Sequence, residues 1–472
     1  MSPSREQEQM SKEPLTDDPE LGDDALFQPQ ADAVYAELLS RVGEANPRPR
    51  LDATRRAVEL LGDPHRAYPI IHITGTNGKT STSRITESIL RAHGLRTGLL
   101  TSPHLVRVNE RIMIDGEPIS NEAFVANWRD IQPYLAMVDA ELQKEGDEPL
   151  TFFEAFTVLA FASFADAPVD VAVIEVGMGG EWDSTNVADG QVAVFAPISL
   201  DHVARLGNTV AEIARTKAGI IKPDAIVVSA EQVADALTEL ERATATNNAT
   251  ISVQQREFSL LSSAVAVGGQ VISVKGRAAT YSDLFLPLFG DHQAQNATVA
   301  IAAVESFLGD GSQPIAHDVV VEGLATATSP GRLQVIAVEP SVIVDAAHNP
   351  QGAQAVASAM GQFFTFEEIA IVVGVLEDKD SEHIIEALAP LSRRFHVTAS
   401  HSDRALPPDD LAYLVREVAG ADATYEFDTL DEAIDDARRW ASEGSNRAVL
   451  VTGSITLVGE TMALAAREGW MR

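Results

Sequence analysis

Thr74-Gly75-Thr76-Asn77-Gly78-Lys79-Thr80-Ser81 is the stretch whose reading decides the fold. It follows an apolar run, Tyr68-Pro69-Ile70-Ile71-His72-Ile73, and opens a helix-patterned segment, Ser83 to Leu90, that closes at His93-Gly94. Strand, glycine turn, lysine, hydroxyl and helix in that order make a cradle for a nucleotide triphosphate. Successive backbone N–H groups and the positive end of the helix dipole point at the phosphates. Lys79 is placed to reach the β- and γ-phosphates, and a hydroxyl from Thr80 or Ser81 to sit on Mg²⁺. The loop is shorter than G-x-x-x-x-G-K-[ST], so the match is one of geometry. A bare glycine turn between strand and helix requires no Lys-Thr after it.

Outward from this stretch, strand-like and helix-like runs alternate. Val171 to Val176, Val192 to Ala196 and Ala225 to Ser229 read as short buried strands, separated by helix-patterned segments such as Phe153–Phe164, Val210–Ala218 and Ala234–Ala243. This alternation specifies an α/β fold, a mostly parallel sheet with helices on both faces. Between Ile251 and Thr280 the texture turns β-alternating, with Gly268-Gly269, and predicts a hairpin excursion on the sheet edge. Ser329-Pro330-Gly331-Arg332 reads as a hinge. Beyond it a second alternating series, with strands at Val342–Val344, Ile369–Val373, Phe395–Thr398 and Ala448–Thr452, predicts a smaller Rossmann-like domain. The expected organisation is an acidic, disordered tail over 1–30, a P-loop domain over 31–328, a hinge over 329–332 and a C-terminal α/β domain over 333–472.

At 472 residues the chain is too long for one ordinary core. Its 35 basic and 69 acidic residues leave a net charge of −34, a field that repels nucleic acid and anionic membranes and argues against either partner. The same field repels ATP and acidic substrates, so a site for them has to be locally basic, with Lys79, Lys217, Arg332 and Lys379 as candidates. Cysteine is absent, which removes disulfides, thiolate catalysis and Cys-based metal sites. No run reaches about 18 apolar residues, the length of a spanning helix. The longest apolar candidate, Ala155 to Ala165, reads as a core helix beneath the sheet. The N-terminus carries no secretory pattern, and a cytoplasmic location is expected.

Two further strand ends carry chemistry. Glu175 closes the run Val171–Val176, and a carboxylate at the C-terminal end of a parallel strand faces the crevice where ligands bind and Mg²⁺ is held. The next strand leads into Pro197-Ile198-Ser199-Leu200-Asp201-His202. His202 reads equally as a ligand of a second Mg²⁺ and as a structural histidine.

These segments combine with others into an ordered set: Thr101-Ser102-Pro103-His104-Leu105, Glu175-Val176-Gly177-x-Gly179-Gly180, Asp201-His202, Lys217-Ala218-Gly219-Ile220, His292-Gln293-x-x-Asn296-Ala297, Pro330-Gly331-Arg332 and Asp345-Ala346-Ala347-His348-Asn349-Pro350-x-Gly352. The set resembles the Mur ligase superfamily, and within it the folylpolyglutamate synthase/dihydrofolate synthase branch, from about residue 48 to the C-terminus. The resemblance implies an ATP-dependent amide ligase that adds L-glutamate to dihydropteroate, to a reduced folate, or to both, through an acyl phosphate. It implies that Gly75 and Thr76 to Ser81 hold the triphosphate, that Ser102, Glu175 and His202 ligate Mg²⁺ beside Thr80, and that Lys217 is carbamylated. It also implies that Asn296, Arg332 and Asp345 touch the nucleotide across the domain cleft, with His348 facing the same space. Read singly, Asn296 is a helix residue, Arg332 a surface cation and Asp345 a strand-end cap.

For a pterin, the corresponding segments are Thr151-Phe152-Phe153-Glu154 and Trp182-Asp183-Ser184. A flat heterocycle stacks on rings and donates hydrogen bonds to a carboxylate; core packing is the competing reading for at least one of the two phenylalanines. The chain departs from the family at Glu181, where an Arg is usual, and at Ser184, where Ala is usual. The resemblance also implies a monomer. Two other readings stand beside this one: a cell-wall Mur ligase acting on a UDP-linked precursor, which normally carries an extra N-terminal domain, and a P-loop nucleotide switch, for which Glu175, His202 and Lys217 are superfluous.

Overall fold

The computed structural model describes residues 23–43 and 48–471. The strand expected before the glycine turn is Ile70–Thr74, wholly buried near the middle of an eight-stranded sheet. The sheet runs in the order Glu117–Pro118, Ile112–Ile114, Thr97–Leu100, Val171–Glu175, Ile70–Thr74, Val192–Phe195, Ile226–Ser229, Thr250–Val253. The first two strands pair antiparallel and the rest parallel. Apolar residues alternate between two cores, as strand geometry requires. Ile71, Ile73, Val171 and Val173 face the helices Lys79–Ala92, Asp291–Gly309 and His317–Ala325. Ile70, Ala172 and Ile174 face Phe152–Asp166 and, behind it, Gln28–Leu39, Asp52–Leu60 and Asn121–Glu145. With helices on both faces the strands have no solvent side, so their sequences are continuously apolar.

Register brings the chemistry to one edge. Ile73 lies opposite Glu175, and Thr74 opposite Phe195. The glycine turn, the Glu175 carboxylate and the loop to His202 therefore leave three adjacent strands at the same end, where open parallel sheets bind ligands.

The excursion after Ile251 takes a different form from the one expected. Thr250–Val253 extends the parallel sheet, and Ser259–Ala266, Gly269–Lys275 and Thr280–Leu286 form a separate three-stranded antiparallel sheet. Glu305 of the helix Asp291–Gly309 ties this sheet down, accepting hydrogen bonds from the Tyr281 hydroxyl (2.8 Å) and the Arg277 amide. The C-terminal sheet has six strands in the order Gln334–Val338, Ser341–Asp345, Arg447–Thr452, Glu368–Val373, Phe395–Val397, Thr424–Glu426, parallel except for the first. Helices Asp23–Leu26 and Gln28–Leu39 stand where the tail was expected to run to residue 30, because Asp24 accepts from the Asn121 amide and Ala31 and Val34 pack into the core. The rest of that expected tail, 1–22, lies outside the described residues. No helix among the described residues is long and apolar enough to cross a membrane.

Candidate active site at the facing sheet ends

The carboxyl ends of both sheets open onto one cavity of about 680 Å³. Its walls include Thr76 to Ser81, Ser102, Glu175 and His202 from the larger domain, and Arg332, Asp345 and His348 from the other side. Two glycines shape the turn. Gly75 has φ +152° and Gly78 φ +84°, and a Cβ on Gly78 would lie 2.5 Å from Asn296 Oδ1. That contact seats Asn296, on the second turn of Asp291–Gly309, directly against the loop. Helix Lys79–Ala92 begins at the lysine itself, so its free N–H groups face the cavity.

Charge at this end is concentrated and incompletely paired. The Lys79 ammonium donates to the carbonyls of Gly75 (3.1 Å) and Thr76 (3.2 Å) and forms no ion pair among the described residues. Burial lowers its pKa, and Glu175 and Asp201 oppose that fall. Thr80 Oγ1 donates to Glu175 Oε1 at 2.9 Å. The other carboxylate oxygen, Oε2, is buried with no partner, and burial raises the pKa of the group. Ser81, the alternative hydroxyl, pairs instead with Ser329 at 2.9 Å, so Thr80 is the hydroxyl beside Glu175. Arg332 forms no ion pair among the described residues and faces the same space. Burial holds His202 near a pKa of about 4, and likewise His348, whose Nδ1 lies 2.9 Å from the Ala346 carbonyl. Asp345 has both oxygens engaged by backbone, from Leu333 N and Ala347 N, and so fixes the turn that carries Arg332.

Lys217 closes the helix Val210–Lys217. It sits behind the P-loop, off the cavity wall, with Nζ 2.8 Å from the Gly75 carbonyl that Lys79 also touches. Full burial and the charge of Lys79 push its pKa from the usual 10.5 down to about 7. Burial thus favours the neutral amine.

The aromatic end differs from expectation. Phe153 and Trp182 line the cavity. Phe152 does not: it turns into the core, stacked on Phe156 with ring centroids 5.8 Å apart. Glu154 has its carboxylate committed, to Arg50 through Nε (2.8 Å) and Nη2 (3.0 Å) and to the Thr151 amide (2.8 Å) in the helix cap. Asp183 accepts from the amides of Met178 and Thr185, and Ser184 pairs with Thr157. Glu181, the residue of reversed charge, is exposed and lies off the cavity wall.

Several contacts had no sequence signal, although some of the residues that make them did. Asp201 bonds Lys379 at 3.0 Å across the cleft, both largely buried. Asn77, expected on the nucleotide, lines the cavity, donates to Gln351 (2.7 Å) and accepts from Asn349 (2.9 Å). Asn349 and Gln351 stand at the start of the helix after the Asp345-Ala346-Ala347-His348 turn, so that motif marked the place without marking the contact. Nothing local marked Arg50, whose partner is 104 positions away.

A P-loop lysine, a hydroxyl-carboxylate pair and a second domain clasped over them match a known assembly. Residues 73–304 match the Mur ligase middle domain and residues 331–455 the Mur ligase glutamate ligase domain. A Mycobacterium tuberculosis dihydrofolate synthase/folylpolyglutamate synthase is 42% identical over 89% of this chain and 91% of its own length. The chain belongs to the Mur ligase family. A Lacticaseibacillus casei folylpolyglutamate synthase is 35% identical over 87% of the chain and 94% of its own length. The solved Mycobacterium tuberculosis folylpolyglutamate synthase with ADP superposes with a TM-score of 0.89 at 41% identity, covering 93% of this chain and 98% of that one. Escherichia coli FolC, solved with DHPP and ADP, superposes at 0.78 with 26% identity, covering 94% and 98%. This Mur-family chain is thus an ATP-dependent ligase of the folylpolyglutamate synthase/dihydrofolate synthase branch.

Proposed function

We propose that the protein joins L-glutamate to dihydropteroate, to a reduced and already glutamylated folate, or to both, using ATP. The observation that carries this reading is one cavity lined both by Lys79, Thr80 and Glu175 and by Phe153 and Trp182. A carboxylate oxygen of the acid attacks the γ-phosphorus and ADP leaves. The glutamate amine then attacks the acyl carbon, expels phosphate and loses a proton. Lys79 and the helix N-terminus hold the triphosphate, and Arg332 meets it from the far domain, so that domain closure about 329–332 completes the site. Phe153 and Trp182 offer faces for the heterocycle and exclude water. The Asp201–Lys379 pair and the Asn77–Gln351 bond hold the two domains together over the reacting groups.

The donor set fits Mg²⁺. The partnerless Oε2 of Glu175 lies on the same wall as the Thr80 and Ser102 hydroxyls, and His202, held neutral, adds a nitrogen. Mg²⁺ keeps phosphate and water oxygens and needs few protein ligands. Bound ions supply charge neutralisation between the γ-phosphate and the incoming carboxylate. Lys217 fits carbamylation in one respect: a buried, near-neutral amine is the form that adds to CO₂. The cell-wall alternative loses its support to the folate-ligase relatives, and the protein is read as a cytoplasmic monomer.

The test is ADP release with Mg²⁺, ATP and L-glutamate, comparing 7,8-dihydropteroate, tetrahydrofolate and no pterin. Turnover with both pterins is expected. Turnover with tetrahydrofolate alone narrows the activity to polyglutamylation, and none with either overturns the reading.

A further inference from the structure

The strand that leads into the P-loop, Ile70–Thr74, is wholly buried, yet its sequence Ile-Ile-His-Ile-Thr places two polar side chains on one face. His72 and Thr74 are both 0% exposed. A buried polar group is costly unless a partner takes its hydrogen bond. Thr74 Oγ1 donates to the Gly179 carbonyl at 2.8 Å, and His72 Nε2 lies 2.9 Å from Thr185 Oγ1. Both partners belong to one loop. It leaves the neighbouring strand Val171–Glu175 and brings Trp182 and Asp183 to the cavity wall.

The donor in the His72 contact is fixed by its neighbours. Thr185 Oγ1 gives its one proton to Asp183 Oδ1, so toward His72 it accepts. Burial, and after it the charge of Lys222, holds the His72 pKa down at about 3. The ring is therefore neutral, with its one N–H on Nε2 and a bare Nδ1, the ring nitrogen that is buried without a partner. Asp183 also accepts from the Met178 amide through Oδ2 (2.9 Å) and from the Thr185 amide through Oδ1 (3.0 Å). Its carboxylate thus gathers the loop on both sides of Trp182, and the Thr185 hydroxyl ties that carboxylate to the P-loop strand. We infer that His72 is a positioning residue for the pterin acid, holding the Trp182 wall in register with the P-loop strand through Thr185 and Asp183. The inference rests on the ligase reaction proposed above, in which Trp182 offers a face to the heterocycle. Without the His72 donor, the Thr185 hydroxyl keeps a buried acceptor unfilled and is no longer aimed at Asp183.

The experiment measures ADP release at saturating L-glutamate, with ATP and the pterin acid that supports turnover varied separately. Thr185→Val keeps the shape and removes the hydroxyl. It is expected to raise the KM for the pterin acid about 10-fold, while the KM for ATP stays within about twofold. His72→Leu should do the same, and the double variant should be no worse than either single one, because both break one chain of hydrogen bonds. Thr185→Ser loses a buried methyl but keeps the hydroxyl, so it should lower Tm and leave the pterin KM near the wild-type value. A pterin KM that instead follows Tm across these variants overturns the inference, as do single effects that multiply in the double variant. A second measurement needs no variant: nitrogen NMR of histidine-labelled wild-type protein should show His72 as the neutral Nε2–H tautomer, and an Nδ1–H tautomer overturns the inference. If the wild-type protein releases no ADP with either pterin, the ligase proposal falls first; if it does and the variants match it, only this inference falls.

Discussion

At the P-loop end of the cavity Glu175 keeps one buried oxygen without a protein partner, whereas at the aromatic end Glu154 has both oxygens committed to Arg50 and Thr151. Lys79 and Arg332 likewise form no ion pair among the described residues, while Asp183 accepts from the Met178 and Thr185 amides and the Thr185 hydroxyl. An unpaired buried charge is costly, and a folded protein keeps one where a ligand completes it. The first end is therefore built around charge that arrives with the nucleotide. The second end uses its carboxylates to fix backbone and leaves recognition to the Phe153 and Trp182 rings. The comparison teaches that acidic residues beside one cavity can serve opposite purposes, and that partner geometry separates them.

The comparison breaks most directly at Lys79. Lys79→Ala should reduce kcat/KM for ATP by about 10³-fold, the order of loss for a charged donor in phosphoryl transfer, with the circular dichroism spectrum unchanged. Near-normal turnover would show that this end does not depend on its unpaired charge. Lys217→Ala should cost about 10²-fold in kcat, since the P-loop loses the group behind Gly75. Short carboxylic acids should restore part of the rate if a carbamate anion acts there. The amine also leaves a signature in stability. Its folded pKa of about 7 lies below the usual 10.5, so between those values the unfolded chain holds a proton that the folded chain lacks. Stability should therefore rise with pH across that window, and Lys217→Met should flatten the rise in Tm measured from pH 7 to 10. An unchanged slope would mean that the amine is not the buried, proton-poor group described.

Legibility in the sequence follows the same division. The P-loop end is made of local elements: a strand end, a glycine turn and the first turn of a helix all lie within Ile70 to Ser81, and each has its own residue signature. Parallel strands buried on both faces announce themselves as apolar runs, so Val171–Glu175 and Val192–Phe195 were readable to within a residue. The antiparallel edge at Ile112–Ile114 and Glu117–Pro118 was not, because strands this short carry no period. The helix Asn121–Glu145 escaped notice too, with Pro133 inside it. At the aromatic end, whether Phe152 or Phe153 faces the ligand depends on how the helix Phe152–Asp166 rotates against Tyr35 and Arg111, which no local pattern encodes. Arg50 was invisible for the same reason: its meaning lies in Glu154, a residue brought to it only by the fold.

Arg332 offers a milder test of the charge-dependent end. It sits where the two domains meet and feels Lys79, Glu175 and Asp345 without contacting a carboxylate. Arg332→Ala should raise the KM for ATP about 10-fold and leave the KM for dihydropteroate unchanged, as expected for a contact made to phosphate alone. No change in either constant would place it outside the nucleotide site.

The smallest effect on turnover should come from the Arg50–Glu154 pair, and it separates the two purposes of a carboxylate most sharply. Arg50 and Glu154 side chains are 14% and 5% exposed, so removing the cation strands a buried anion. Arg50→Met should lower stability by about 2–3 kcal/mol, below the usual range for a fully buried pair because Arg50 is partly solvated. Glu154→Gln keeps an acceptor for the Thr151 amide and leaves Arg50 its ion pair with Asp147, so it should cost less. If Glu154 only fixes the helix start, the KM for dihydropteroate should follow stability, rising a few-fold in Arg50→Met and less in Glu154→Gln, with ATP unaffected in both. The reverse order, a large rise in Glu154→Gln with little loss of Tm, would mean that the carboxylate hydrogen-bonds the heterocycle directly. In that case the aromatic end would also carry charge meant for a ligand, and the contrast between the two ends would fail.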